Sequence, residues 1–208
     1  MYLPSHFRVT DPALAQALIQ EQPLASLVTT DAEGLPFVTH LPLRLDRVGE
    51  GGTLHLLGHL ARANPQWQHL QARPRAVVTF LGPQAYMSPQ VYPDLQRVPT
   101  WNYVALHATV QTTLVHGGED KDRLLKCLIA DHEPAYADQW RSLAESYTTA
   151  MLAGIVGLEL AATDWQLKVK VNQHRAEARE ALRTACVAGS EQERALVAWM
   201  DRVMASGT

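Results

Sequence analysis

Hydrophobic and polar residues alternate along most of the first two thirds of the chain, a pattern typical of half-buried β-strands. It predicts strands over residues 25–30, 35–45, 53–57, 76–81, 101–115 and 155–160, the last continuing toward Val169. Apolar residues at helical spacing predict helices over residues 12–22, 65–72, 119–129, 134–147 and from His174 onward. Short connections between strands, with helices in the insertions, predict a mainly β protein of the α+β class, a small barrel decorated by helices.

The same pattern suggests how the chain is organised. Residues 1–175 are predicted to form the barrel domain. Residues 176–208 are predicted to form a helical extension packed on the barrel or on a partner subunit. The proline-containing segment from Gly82 to Val98 shows little periodicity. A long irregular segment of this kind is typical of a functional loop or a partner contact.

Composition narrows the classes of function. The 208 residues are 47% hydrophobic and 19% charged, as in an ordinary globular protein, and the net charge is −3. This balance of charges does not indicate the basic surface that nucleic-acid-binding proteins usually have. Cys127 and Cys186 show no zinc spacing, and we expect free thiols, with a disulfide as the alternative. The N-terminus lacks a signal-peptide pattern and no apolar run is long enough to span a bilayer, so we expect a cytoplasmic location with no membrane contact.

Candidate chemistry concentrates in the segment from Gly58 to Trp67, where a predicted strand turns into a predicted helix. Asn64 is a suitable N-cap and Pro65 suits the first helical position. A helix start exposes unpaired N–H groups, and Arg62 just upstream adds charged donors that match phosphate oxygens. The segment therefore indicates a phosphate site, and the alternative is a capped helix beside a solvated arginine.

Several short blocks carry a family resemblance, and they occur in one order along the chain. They are Met1–Pro4, Val28–Thr30, Thr39–Leu43, Gly58–Trp67, Gly82–Tyr86, Val98–Tyr103 and Gly154–Gly157. In these blocks the chain resembles the PaiB-type family, the FMN-binding negative transcriptional regulators. The resemblance runs from residue 1 to about residue 175. It implies an FMN-binding split β-barrel that pairs into a homodimer.

The resemblance also implies which residues line the flavin site. The expected FMN-binding residues are Thr29, Thr39, His40, Leu41, His59, Arg62, Asn64, Asn102, Gln111, Lys170 and Gln173. Arg62 is the expected phosphate ligand. For His40 the alternative is a packed histidine, and for Asn102 it is an aromatic plug formed with Trp101 and Tyr103. His174 stands where the family usually has asparagine.

Three classes of function follow from these observations. The leading hypothesis is a flavin-dependent regulator or sensor. A flavin-dependent oxidoreductase using a reduced nicotinamide or another small electron donor is the alternative, because FMN itself supplies the electron transfer. A sensor that acts through a partner protein is the third. Direct DNA binding is expected to be weak or absent, and no metal site or catalytic residue is assigned.

Overall fold

The structure is a computed structural model that describes residues 1–94 and 96–205. Leu95, inside the predicted irregular segment, and residues 206–208, at the end of the predicted helical extension, lie outside the described residues. The strands are β1 (Arg8–Val9), β2 (Leu24–Thr30), β3 (Pro36–Pro42), β4 (Arg44–Val48), β5 (Leu54–Ala61), β6 (Arg75–Met87), β7 (Thr100–Val115) and β8 (Ile155–Lys170). The helices are α1 (Pro12–Glu21), α2 (Gln66–Ala72), α3 (Gly118–His132), α4 (Tyr136–Ser142), α5 (Glu145–Ala153), α6 (Arg179–Val187) and α7 (Glu191–Ala205).

The strands form one sheet in the order β3-β2-β6-β7-β8-β5-β4, with β1 paired to β8. The pairs β2–β3, β2–β6, β4–β5, β5–β8 and β1–β8 are antiparallel. Val28 lies opposite Val38 on one side and opposite Val77 on the other. The predicted α+β class is therefore confirmed.

The chain divides into two compact units, and β6, β7 and β8 each contribute residues to both. The first unit contains residues 1–22, 80–107 and 166–208. Its core is built from the apolar stripe of α1, from β6 and β7, and from Trp199 of α7, which is almost fully buried. The second unit contains residues 23–79 and 108–165, with a core of inward-facing leucines from β2, β5 and β8.

Local signals account for several element boundaries. The carboxylate of Asp11 accepts a hydrogen bond from Ala13 N (2.9 Å) and caps α1, as the Asp-Pro pair predicts. At α7, Ser190 Oγ accepts from Glu193 N (3.3 Å), while Glu193 Oε2 accepts from Ser190 N (2.7 Å). This reciprocal pair is a capping box.

Four predicted elements differ from the structure. The strand predicted over 76–81 continues to Met87, so the first part of the segment predicted to be irregular is strand. The strand predicted over 35–45 is two strands, because the chain pairs with β2 up to Pro42 and with β5 from Arg44 onward, with Leu43 fully buried between them. The helix predicted over 134–147 is two helices, separated by extended backbone at Leu143 and Ala144. The strand predicted to end before Gly58 instead continues to Ala61.

Gly58 is needed for close packing rather than for a turn. A Cβ at this position would lie 2.4 Å from Leu43 Cδ2 and 3.0 Å from Pro42 O. Glycine within a strand often marks such a close approach. His59 consequently lies inside β5, and its predicted place on a strand-to-helix turn is wrong. The turn itself covers residues 62–65.

Candidate functional site

The turn between β5 and α2 is held by the side chain of Asn64. Its Oδ1 accepts from Gln66 N (2.9 Å), and its Nδ2 donates to Thr39 Oγ1 (2.9 Å). Asn64 thus supplies the predicted capping bond, although α2 begins at Gln66 and Pro65 already has helical dihedral angles. The structure brings Asn64 and Thr39, two of the predicted site residues, into direct contact.

Gln66 is a buried polar residue that the sequence analysis did not single out. It is fully buried, and its Nε2 lies 2.9 Å from Leu27 O, 3.0 Å from Phe37 O and 3.2 Å from Thr29 Oγ1. Thr29 also contacts His69 Nδ1 (3.3 Å). Gln66 therefore fixes α2 against both β2 and β3. Its position directly after Asn-Pro was the only available signal, because nothing in a single sequence distinguishes a buried glutamine from an exposed one.

Arg62 and Lys121 converge on the C-terminal end of α5. Arg62 Nε donates to Ala153 O (2.9 Å), and Arg62 N donates to Gly154 O (2.8 Å). Lys121 Nζ donates to Leu152 O (2.5 Å). The negative end of a helix dipole favours such cations. Burial, together with the neighbouring charge of Arg62, lowers the pKa of Lys121. Arg62 itself is exposed, so part of its guanidinium faces solvent.

His40 and Leu41 face opposite sides of β3. His40 is exposed, and its Nδ1 lies 3.0 Å from Ser26 Oγ, whereas Leu41 is buried. Residues that alternate along a strand point to opposite faces. Of these two predicted site residues, only His40 therefore presents its side chain on the open face of β2 and β3.

Three buried polar atoms in the second unit lack a partner among the described residues. They are His59 Nδ1, Gln66 Oε1 and Thr112 Oγ1. Burial lowers the pKa of His59 and so favours the neutral imidazole. Since buried polar atoms are normally hydrogen-bonded, each of these atoms can serve a bound ligand.

The structure places Gln111 apart from the Asn64 contacts. It is exposed on β7 and lines a cleft of about 550 Å³ with Arg47, His55, Cys127 and Glu159, among others. None of its described hydrogen bonds reaches the β5–α2 turn.

The other predicted site residues belong to the first unit. Asn102 is buried, with Nδ2 3.5 Å from Met87 Sδ and with Oδ1 unpartnered among the described residues. Trp101 is half-exposed and meets Tyr86 edge-on, with ring centroids 6.3 Å apart. Trp101 and Asn102 thus point to opposite faces, as strand alternation predicts.

The predicted Lys-x-x-Gln pair lies at the end of β8. Lys170 Nζ donates to Thr100 Oγ1 (2.5 Å), and burial lowers the pKa of Lys170. Gln173 Nε2 donates to Val169 O (2.7 Å), and Gln173 Oε1 accepts from Val171 N (3.1 Å). Gln173 therefore uses both ends of its amide to close the turn after β8.

The residues at the β5–α2 turn fit a ligand with several hydrogen-bonding groups. The unpartnered atoms provide acceptors, and the exposed part of Arg62 provides charged donors. An isoalloxazine ring and a phosphate require such a mixture, so the residues fit FMN. No helix in the described part of the chain is both long and apolar enough to cross a membrane.

Comparison with known proteins identifies the relatives of this chain. The family described as "Putative FMN-binding domain" matches residues 1–164. Protease synthase and sporulation protein PAI 2 of Bacillus subtilis is 32% identical over 180 residues, which cover 85% of this chain and 84% of that protein. Protein YKL070W of Saccharomyces cerevisiae is 26% identical over 149 residues, covering 62% of this chain and 86% of the yeast protein.

Solved structures support the fold. The FAD and heme binding protein of Mycobacterium smegmatis superposes with a TM-score of 0.62 at 19% identity, covering 79% of this chain and 73% of that one. The flavocytochrome Anf3 of Azotobacter vinelandii gives a TM-score of 0.62 at 15% identity, covering 82% and 73%. At these identities the likeness shows the fold alone, which is the predicted split β-barrel. The chain therefore belongs to the PaiB-type FMN-binding family, and its cofactor is FMN.

Proposed function

We propose that this protein is a flavin-dependent regulator or sensor that works as a homodimer and transmits its state through a partner protein rather than by binding DNA itself. The observation that carries the proposal is how little of the chain's one concentrated basic stretch, residues 168–179, is exposed to solvent. Two of its four cations, Lys168 and Lys170, are buried or half-buried within the protein, which leaves only Arg175 and Arg179 exposed.

Each cation in that stretch has its own environment. Lys168 is only 7% exposed, and Lys170 is half-buried against Thr100. Arg175 is exposed and lies 3.9 Å from a carboxylate oxygen of Glu177. Arg179 is exposed. Non-specific affinity for DNA comes from cations that neutralise phosphates. This stretch therefore supports at most a shallow dependence of DNA binding on salt: the slope of log K against the logarithm of the salt concentration is about −0.9 per phosphate contacted.

FMN supplies one- and two-electron chemistry when it is bound. In our proposal Arg62 contacts the phosphate from the β5–α2 turn, while Asn64 and Thr39 keep that turn in place. His59, held neutral by burial, offers Nδ1 as an acceptor. His40 would line the site from the open face of β3. The roles of Leu41, Thr29, Gln111, Asn102, Lys170 and Gln173 in flavin binding stay predictions.

The homodimer is proposed from an exposed sheet face. Leu24, Val38 and Val77 lie on three adjacent strands and are 65%, 49% and 38% exposed. Val28 stands between Val38 and Val77 in register. The three valines form an apolar row across the three strands, and exposed apolar surface of this kind is typical of an interface. A two-fold axis would bury the same row on both copies.

Light scattering tests the dimer. We expect twice the mass of the 23.0 kDa chain at micromolar concentration. Val38→Asp should shift the protein toward monomer, whereas Val48→Asp should leave the mass unchanged. Val48 is similarly exposed but lies on β4, at the other edge of the sheet. A wild-type mass of 23 kDa contradicts the dimer.

The regulatory role is tested by gel-shift titration against genomic fragments, at physiological salt and with FMN bound. We expect no discrete fragment to bind, and affinity capture with the flavin-loaded protein to retain a partner that is absent when the flavin is reduced. A fragment bound at nanomolar concentration would instead make the protein a direct repressor.

The oxidoreductase alternative is separated by anaerobic titration with reduced nicotinamide, followed by flavin absorbance. We expect reduction too slow to sustain turnover. Rapid reduction followed by turnover with a small acceptor would replace the regulator proposal with the enzyme.

A further inference from the structure

Two lysines at the end of β8 share an unusual environment. Lys168 and Lys170 are two residues apart on one strand, so their side chains leave the same face with Cα atoms about 7 Å apart. The ammonium of Lys168 lies 5.1 Å from the centre of the Tyr103 ring, and the ammonium of Lys170 donates to Thr100 Oγ1 (2.5 Å).

The N-terminal segment covers Lys168. Its Nζ donates to Tyr2 O (3.2 Å) and lies 5.7 Å and 6.0 Å from the ring centres of Tyr2 and Phe7. Aromatic faces attract a cation, but they do not neutralise it. Tyr2 itself is 84% exposed, so this cover is a thin layer at the protein surface.

Neither lysine forms an ion pair within the described part of the chain. Each ammonium donates to one oxygen there, Tyr2 O for Lys168 and Thr100 Oγ1 for Lys170. An ammonium has three donors, and a buried charge is costly unless it is paired. Two such cations side by side also repel each other, and the charge of Lys168 contributes to lowering the pKa of Lys170.

A third donor lies two residues beyond Lys170. Asn172 is buried in a left-handed backbone conformation (φ 64°), and its Oδ1 accepts from the Tyr92 hydroxyl (3.0 Å). Its Nδ2 is buried without a partner among the described residues. Buried amide donors are normally satisfied, so this one indicates a missing acceptor.

We infer that Lys168, Lys170 and Asn172 form an oxyanion subsite that binds a phosphate or carboxylate group. An oxyanion would neutralise the paired cations and accept the remaining donors. The group has two sources: the phosphate of FMN, in which case Arg62 is not its ligand, or an anionic small molecule bound in addition to the flavin. The inference rests on the local donors and charges and does not depend on the regulatory role.

The subsite is tested by thermal unfolding of the flavin-free and the FMN-loaded protein, with inorganic phosphate or acetate titrated against sodium chloride at equal ionic strength. We expect phosphate to raise the unfolding midpoint of the wild-type protein. Charge-assisted hydrogen bonds contribute about 1.5–3 kcal/mol. Lys168→Met and Lys170→Met should therefore each weaken the apparent affinity for phosphate about tenfold or more.

Arg179→Met is the matched control, because it removes an exposed cation from the same basic stretch and should leave the phosphate response unchanged. Lys170 is half-exposed, so the second variant keeps the test available if Lys168→Met does not fold. Phosphorus NMR of inorganic phosphate, whose line should broaden with wild-type protein and not with either lysine variant, gives an independent readout.

Binding of FMN and riboflavin to the same variants separates the two sources. If both lysine variants lose affinity for FMN but not for riboflavin, the anion is the FMN phosphate. If FMN affinity is retained and the FMN-loaded protein still responds to phosphate or acetate, the anion belongs to a separate ligand. Equal responses to phosphate and chloride in the wild-type protein, or unchanged phosphate binding in both variants, would overturn the subsite.

Discussion

The β5–α2 turn and the end of β8 both bury polar side chains, but they differ in how far those side chains are hydrogen-bonded. At the turn, the amide of Asn64 and the Nε2 of Gln66 find acceptors on neighbouring strands. At the end of β8, Lys168 and Lys170 bring two charges into the protein without a carboxylate among the described residues. In the first region the amide donors are satisfied, and Gln66 Oε1 is left as a buried acceptor without a partner among the described residues. The second has hydrogen-bond donors without acceptors, which a bound anion would satisfy.

The largest effect is expected at Gln66, whose side-chain NH₂ group contacts three acceptors. Gln66→Ala removes the donor shared by Leu27 O, Phe37 O and Thr29 Oγ1, and each buried unpaired group costs about 1–3 kcal/mol. We expect a loss of about 3–5 kcal/mol in the free energy of unfolding, measured with urea. Gln68→Ala, at an exposed position in the same helix, should cost less than about 0.5 kcal/mol. Similar losses for both variants would show that the Gln66 contacts contribute little.

Arg62→Ala is expected to weaken FMN binding about tenfold or more and to leave riboflavin binding nearly unchanged, since a charge-assisted contact to the phosphate is lost. Isothermal titration with both ligands measures this. Lys121→Met is the control, because it also removes a donor from the end of α5. If Lys121→Met reproduces the loss of FMN affinity, then Arg62 acts through α5 rather than on the phosphate.

A smaller effect concerns pH. Burial lowers the pKa of His59, whereas the unfolded chain takes up the proton near pH 6.5. The stabilisation from the neutral imidazole is therefore full above about pH 6.5 and is lost as the pH falls toward the folded-state pKa. We expect the urea midpoint to fall between pH 7.5 and 5.5, and His59→Gln to flatten that dependence. His132→Gln, at an exposed position, should leave the slope as it is. A slope unchanged by His59→Gln would contradict this assignment.

The smallest change is expected at the end of β8. In chloride buffer, Lys168→Met should leave the free energy of unfolding unchanged or raise it by up to about 2 kcal/mol, because replacing a buried ion with a packed apolar residue is often neutral or stabilising. Urea unfolding measures this difference. A loss comparable to that of Gln66→Ala would mean that the aromatic rings and the Tyr2 carbonyl already satisfy Lys168.

The sequence predicted the fold class and the order of most elements, because alternation and helical spacing are local signals. Its errors arise from tertiary packing. Gly58 looked like the end of a strand, yet it lies within β5 because a neighbouring leucine leaves no room for a side chain. Leu43 looked like part of a continuous strand, yet the chain changes its pairing partner there from β2 to β5, which divides the strand in two.

The candidate site was predictable to a similar extent. The capping role of Asn64 and the opposite directions of Trp101 and Asn102 follow from local rules. The burial of Gln66 and Lys168 does not, because it depends on strands and an N-terminal segment distant in sequence. The bonds of Arg62 to residues 153–155 likewise span about ninety positions, which no local pattern encodes.

The end of α5 serves Arg62 and Lys121 as an anion would, although the groups that they bind there are main-chain carbonyls. Every amino acid carries such a carbonyl. A search for an acidic residue that changes together with these two cations would therefore find none at this helix end. The contact depends on the side chains of residues 152, 153 and 155 only through the packing that holds the backbone in place, as the buried Leu152 does. Here the negative partner of the two cations is provided by the backbone and not by a side chain.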